Sequence, residues 1–265
     1  MSLDFNNGIL LVDKPSGMSS MRVLTLVKLL TSQANAKQGI TKKAKVGHCG
    51  TLDPLASGLM VVLLGSATKQ QNKFLSANKS YSGTIKLGLT TNTDDIVGDV
   101  LKEDNLKSLF KKFSKEQILE EIRKEFTGTS MQTPPDFSAI KVAGKRSYNL
   151  ARKGKSVELK QRQVEISFED LRFHNYDSIR FEVSCTKGTY IRSLARDIGE
   201  FLECGACINS LRRTASNPFS LELAYSLDQV RDFGLNNCLI SSENMQDLST
   251  FMMGKEGFPI RKVAN

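Results

Sequence analysis

Asp53 is the residue of this chain best surrounded for chemistry. It lies in Gly47-His48-Cys49-Gly50-Thr51-Leu52-Asp53-Pro54-Leu55-Ala56-Ser57-Gly58-Leu59, a glycine-bracketed turn just ahead of an apolar run. Pro54 biases the residue before it toward extended backbone and has no N–H to donate, so Asp53 sits in a stiff bend. Gly47, Gly50 and Gly58 carry no side chains, which lets a bulky ligand come close. His48, upstream in the same run, spaces an aromatic ring and a carboxylate to flank one planar substrate. A carboxylate held this way serves as a nucleophile or as a base. An isolated Asp-Pro belongs to ordinary turns; the whole run is not explained by turn chemistry alone.

The flanking elements must hold that turn. Residues 9–12 predict a short buried strand, followed by the turn Asp13-Lys14-Pro15-Ser16-Gly17 and a helix opening at Ser19 or Ser20, with Met21, Leu24, Val27 and Leu30 on its apolar face. Residues 34–45 are polar and basic and read as a loop leading into the Asp53 turn, and residues 59–64 read as a strand buried on both faces. A helix over residues 68–75 precedes a half-buried strand in which Tyr81, Gly83, Ile85 and Leu87 alternate with polar residues. The acidic loop Asn92-Thr93-Asp94-Asp95 follows, then a helix over residues 106–126 with Ser114 and Gln117 at capping-box spacing. Val164, Ile166 and Phe168, then Ile179, Phe181, Val183 and Cys185, predict paired antiparallel strands. Thr189 is read as the cap of a helix carrying Tyr190, Leu194, Ile198 and Phe201. Strands and helices mix without a βαβ series, so the fold class is α+β, a mixed, largely antiparallel sheet with flanking helices. Periodicity fades beyond Arg213, and Ser216-Asn217-Pro218 marks a boundary to a small C-terminal segment.

The net charge of +9, from 37 basic and 28 acidic residues, points to a polyanionic partner. Distribution matters more than the total. Between Lys141 and Arg162 stand Lys141, Lys145, Arg146, Arg152, Lys153, Lys155, Lys160 and Arg162 against the single acid Glu158. Tyr148, Gly144 and Gly154 interrupt the run, which suits a loop that follows phosphates and offers an occasional ring. The five cysteines show no extracellular disulfide pattern, and the N-terminus lacks a signal-peptide signature, so a reducing cytoplasm is expected. No apolar run approaches the ~20 residues of a membrane helix. Cys204-Gly-Ala-Cys207 is a CxxC, but a zinc site needs four ligands and Cys49, Cys185, Cys238, His48 and His174 are scattered; no metal is expected, and Cys207 is read as the start of a buried strand.

Several blocks, in order, resemble the TruB family of tRNA pseudouridine synthases over residues 8–215. Leu11-Val-Asp-Lys-Pro-Ser-Gly-Met-Ser is similar to the family's N-terminal block, the Asp53 run to its catalytic loop, and Lys79-Ser-Tyr81 to the block that supplies a tyrosine. Met131-Gln-Thr-Pro-Pro-Asp-Phe-Ser-Ala-Ile-Lys141, Gly188-Thr-Tyr-Ile-Arg-Ser-Leu-Ala-Arg-Asp-Ile-Gly199 and Leu211-Arg-Arg resemble three more. The resemblance implies a pseudouridine synthase catalytic fold over residues 1–213 and a small segment over 214–265, a reduced or absent PUA-like domain. It implies isomerisation of uridine 55 in the T-loop of tRNA, without metal or organic cofactor, by a monomer. Asp53 would act on the sugar or the base, by a nucleophilic or a glycal route, after the uridine is flipped out. His48 would fill or brace the space the base leaves. Tyr81 would stack on the uracil and take the C5 proton, Tyr190 and Leu211 would line the pocket, and Arg192 would pair with Asp53.

Two features depart from the pattern. The acidic loop begins with Asn92 where many relatives have aspartate, leaving Asp95 as a partner for Tyr81 or a ribose. The tail is short, which would shift RNA binding to the segment from Lys141. Two other classes compete: an RNA-folding protein in which Asp53 only shapes a turn, and a glycosidic hydrolase, which would need a second carboxylate such as Asp94 or Asp95.

Overall fold

The computed structural model describes residues 7–37, 39–41, 45–138, 141–142, 145–147 and 159–241. Residues 8–14 and 57–64 form the first pair of long strands, β1 (Gly8–Lys14) and β3 (Ser57–Leu64), antiparallel from Gly8↔Leu64 to Lys14↔Gly58, with β2 (Val46–His48) on the other side of β3. Both long strands are almost continuously apolar because both faces are covered. Alternation divides them: Ile9, Leu11, Leu59, Val61 and Leu63 pack with Phe74 and Phe219, while Leu10, Val12, Met60, Val62 and Leu64 pack with helix residues on the opposite face.

That opposite face is covered by α1 (Ser20–Ala36), whose N-cap Ser19 accepts from the Arg22 backbone N–H. Val23, Leu24 and Val27 are buried, whereas Met21 is 61% exposed, so Val23 rather than Met21 begins the inward stripe. The helix also runs on through Ala34 and Ala36 into the stretch expected to be loop. Lys42 and Lys43 of that stretch lie outside the described residues.

The sheet continues through β12 (Ala206–Ser216), β4 (Lys79–Leu87), β11 (Ser178–Cys185), β10 (Arg162–Phe173) and β7 (Gly128–Gln132), while β5 (Leu89–Thr91) pairs with β6 (Val100–Glu103) and β8 (Lys141–Val142) with β9 (Lys145–Arg146) outside it. Among the ladders of the described residues, the short β3–β12 contact, Arg212↔Ser57 and Arg213↔Gly58, is parallel and the others are antiparallel, as expected of a mixed sheet. The alternating residues Val164 to Phe168 and Ile179 to Cys185 pair as read and fill a second core with Ile118 and Ile122.

Helix α2 (Gln71–Leu75) lies between β3 and β4, and the region read as one helix over residues 106–126 is two: α3 (Lys107–Lys112) and α4 (Lys115–Phe126). Ser114 interrupts it, because its hydroxyl and the Gln117 side chain complete a capping box that starts a new helix. Helix α5 (Ile191–Phe201) follows β11, with Tyr190 at the N-cap position; the Thr189 hydroxyl instead donates to the Thr186 carbonyl, closing the turn before the helix. Beyond Arg213 the chain stays on the sheet to Ser241. Phe219 and Ser220 pair with the end of β12, Val230 of helix α6 (Leu227–Phe233) packs under β1, and Leu239–Ser241 adds a strand to β1's free edge. Residues 242–265 lie outside the described residues.

One close approach sets the centre of the sheet. Gly58 has φ +100°, and a Cβ there would stand 2.3 Å from the Arg213 carbonyl oxygen. Gly58→Ala is therefore expected to destabilise the fold by about 2 kcal/mol, read as a lower urea midpoint with an unchanged slope; an unchanged midpoint would show that β3 and β12 can separate freely.

Candidate active site

Asp53 lies on the loop between β2 and β3, and the neighbouring β1–α1 turn grips that loop. Ser20 Oγ donates to the Leu52 carbonyl at 2.7 Å and accepts from its N–H at 2.8 Å, Ser16 Oγ donates to the Leu55 carbonyl, and the Gly17 N–H donates to the Pro54 carbonyl. The Lys14 ammonium, fully buried, donates to the carbonyls of Pro15, Met18 and, at 3.5 Å, Pro54. Burial pushes its pKa down to about 8, against the attraction of Asp53.

Asp53 meets Arg192, in the first turn of α5: Nε stands 2.9 Å from Oδ2, with the arginine side chain 6% and the aspartate 38% exposed. The Nε–H is not aimed along this line, so the contact is an ion pair rather than a directed hydrogen bond. The other two guanidinium nitrogens donate to the carbonyls of Thr93 (2.7 Å) and Phe137 (2.9 Å), which fixes the orientation of the fork. The helix start is fixed too. Gln132 on β7 exchanges two hydrogen bonds with the Tyr190 backbone, at 2.8 and 3.1 Å, and Ser193 Oγ donates to the Thr133 carbonyl.

Asp53, Tyr81, Tyr190, Arg192 and Leu211 together line a pocket of about 310 Å³ over the middle of the sheet. Tyr81 comes from β4 and Leu211 from β12, the two central strands. Burial pushes the Tyr81 phenol above its ordinary value, with the Arg213 guanidinium opposing the shift. Burial raises Tyr190 as well, and the Arg162 guanidinium, 5.5 Å above its ring, opposes it. His48 is not among the pocket's lining residues. It sits half-buried on β2 opposite Val62, its carbonyl accepting from Gln71 Nε2, and burial and the Arg213 charge keep its imidazole below the ordinary range.

Sequence reading missed the basic residues on the wall of this pocket. Arg213 and Lys79 line it, and Lys79 Nζ donates to the carbonyls of Phe74, Leu75 and Ala77. Lys14, Lys79 and Arg213 each stand in one of the recognised blocks; read singly, each is an ordinary surface cation. The two acids of the neighbouring loop are otherwise engaged. Asp94 pairs with Arg196 at 3.2 Å, and Asp95 Oδ1 accepts from Thr93 Oγ1 and the Val97 N–H, so these bonds tie Asp95 to its own loop. Asp53 is the single acid among the described pocket-lining residues. Of the basic run, Tyr148, Arg152, Lys153 and Lys155 lie outside the described residues, while Lys141–Val142 and Lys145–Arg146 form a small hairpin.

Asp94 gives the loop a pH dependence. Burial raises its carboxyl from 3.8 to about 6, against the pull of Arg196 and Arg192. Between pH 3.8 and about 6 the native state therefore holds a proton that the unfolded chain has lost, so this contribution to stability is complete below pH 3.8 and disappears as pH rises through about 6. Asp94→Asn is expected to shrink the difference in urea midpoint between about pH 4 and about pH 7, which bracket the fall of this contribution; an unchanged difference would assign the pH dependence to other groups.

Residues 37–191 match the family model of the TruB family pseudouridylate synthase (N terminal domain), and residues 192–250 match that of the tRNA pseudouridylate synthase B C-terminal domain. The chain is 40% identical over 243 residues to the tRNA pseudouridine synthase B of Francisella tularensis subsp. tularensis, covering 91% of this chain and 76% of the relative. It is 39% identical, with the same coverage, to that of Francisella philomiragia. Among solved structures it resembles one described as a Cbf5-Nop10-Gar1 complex, at TM-score 0.61 and 28% identity over 86% of this chain and 55% of the other. It also resembles a chain of an H/ACA RNP bound to a substrate RNA containing 2'-deoxyuridine, at TM-score 0.59 and 26% identity over 86% of this chain and 54% of the other.

Proposed function

The chain belongs to the TruB family of pseudouridine synthases, and on that premise we propose that it isomerises uridine 55 in the T-loop of tRNA to pseudouridine, with Asp53 as the acting carboxylate. The observation that carries this reading is the lone acid of the pocket, ion-paired to a buried arginine and surrounded by Tyr81, Tyr190 and Leu211. A hydrolase that uses two carboxylates would need a second acid facing the same space, and Asp94 and Asp95 are held elsewhere.

The reaction breaks the bond between N1 and C1′, turns the uracil and joins C5 to C1′; C5 loses a proton and N1 gains one. Atoms and electrons balance within the substrate, so the chemistry calls for no oxidant or co-reactant. A stacked uridine must first leave its stack, at a cost of about a few kcal/mol that binding offsets. In this reading Tyr81 and Tyr190 give the extruded ring its walls, Leu211 supplies an apolar contact, and Arg192 keeps the Asp53 carboxylate aimed at the ribose and base. His48, outside the pocket lining, acts from the loop's edge by bracing the RNA where the base has left. The basic segment from Lys141 to Arg162 supplies phosphate contacts, the segment after Arg213 adds less than a full PUA-like domain would, and the protein works as a monomer in the cytoplasm.

Asp53→Asn is expected to abolish tritium release from tRNA labelled at C5 of uridine while tRNA affinity stays within about threefold, since the amide keeps the shape and loses the charge. Retained release would remove Asp53 from the chemistry, and free uracil in the wild-type reaction would identify a hydrolase. Affinity for tRNA is also expected to fall steeply between about 50 and 200 mM salt as bound counterions cease to be released; a flat response measured by filter binding would take the basic segment out of the binding surface.

A further inference from the structure

Arg213 is 1% exposed, the largest fully buried side chain among the described residues, and it has no carboxylate partner there. Its Nε donates to the Leu59 carbonyl at 2.7 Å and its Nη2 to the Gly50 carbonyl at 3.2 Å. Those two carbonyls bracket the loop that carries Asp53, one where the loop leaves β2 and the other where it has entered β3. The backbone of Arg213 is itself locked in place, opposite Gly58 of β3 and Tyr81 of β4. Gly58 has no side chain to obstruct that contact, and a Cβ on Gly50 would stand 3.4 Å from Arg213 Nη1.

An apolar side chain of similar volume would fill the same space without the desolvation cost of a buried charge, a cost of several kcal/mol. Packing therefore does not account for an arginine here. Its fork does, because one planar group reaches two acceptors at once, which a lysine ammonium on a flexible stem cannot match. We propose that Arg213 is a positioning residue for the isomerisation, clamping both ends of the Asp53 loop so that the carboxylate stays against Arg192 and faces the pocket. The inference rests on the reading of Asp53 as the acting carboxylate. Arg213 also lines the pocket beside Tyr81; the role assigned to it is to fix where Asp53 is, while Asp53 does the chemistry. Displacing a reacting group by ~1 Å costs about 100-fold in rate, so the clamp governs the chemical step rather than the capture of RNA.

The test compares Arg213→Lys with the wild type in single-turnover tritium release at saturating tRNA, with tRNA affinity and the melting transition measured on the same samples. The expected result is a fall in rate of about 100-fold, an affinity within about twofold of wild type and a cooperative melting transition. Arg213→Gln keeps one donor for one of the two carbonyls without a buried charge; it carries the same expectation and serves if the lysine variant does not fold. A folded variant that reacts at the wild-type rate overturns the proposal, as does one whose affinity falls while its rate at saturation is unchanged. A wild-type protein that releases no tritium would instead overturn the functional reading on which the proposal rests.

Discussion

The buried guanidinium of Arg192 is the constraint around which the site is organised. Removing a permanent charge from water costs several kcal/mol unless opposite charge and hydrogen bonds replace the lost solvent. Here the replacements come from three separate stretches of chain: Asp53 from the loop before β3, Thr93 from the acidic loop and Phe137 from the segment after β7. Satisfying one cation therefore requires three loops to converge. The carboxylate gains a fixed direction from the same arrangement.

The sheet makes that convergence possible. The two central strands, β4 and β12, contribute Tyr81 and Leu211, and α5 begins where β11 ends beside them, so Arg192 enters over the middle of the sheet. Gln132 holds the Tyr190 backbone like a ladder partner, replacing at the helix start the side-chain cap that Thr189 does not provide.

Positive charge gathers on the pocket wall and beside the Asp53 loop. Lys14 and Lys79 are buried against backbone carbonyls, as Arg213 is. Carbonyl dipoles satisfy the donors of a cation without cancelling its charge, so the field of these groups persists in a region of low dielectric. Burial lowers the pKa of both lysines, because desolvation disfavours the charged form. An enclosure of this sign favours a substrate that is itself an anion and suits the negative charge that develops on a base as its glycosidic bond breaks.

The architecture was legible where periodicity was strong. The continuous apolar run of residues 59–64, the alternation at 164–168 and 179–185, and the capping-box residues Ser114 and Gln117 each became the element their pattern implied, although Ser114 proved to divide two helices rather than sit within one. Local patterns report local hydrogen bonds and the burial of one face, and they misjudged Met21 and Thr189 because helix rotation and turn closure depend on what packs from outside. By itself the sequence determined the strand and helix inventory, the stiff turn at Asp53 and, through the spacing of its blocks, the family. Only the tertiary structure decided that Arg192 reaches Asp53 while Asp95 is bonded within its own loop, that His48 stays off the pocket wall, and that Lys79 and Arg213 are buried cations on that wall with Lys14 buried beside the Asp53 loop. Arg213 meets a carbonyl 163 positions away and Arg192 a similarly remote loop, whereas Lys14 and Lys79 donate mostly to carbonyls of their own neighbours and owe their burial to the packing around them. Nothing in the identity of a lysine or an arginine records whether the folded chain will supply it with water or with carbonyls.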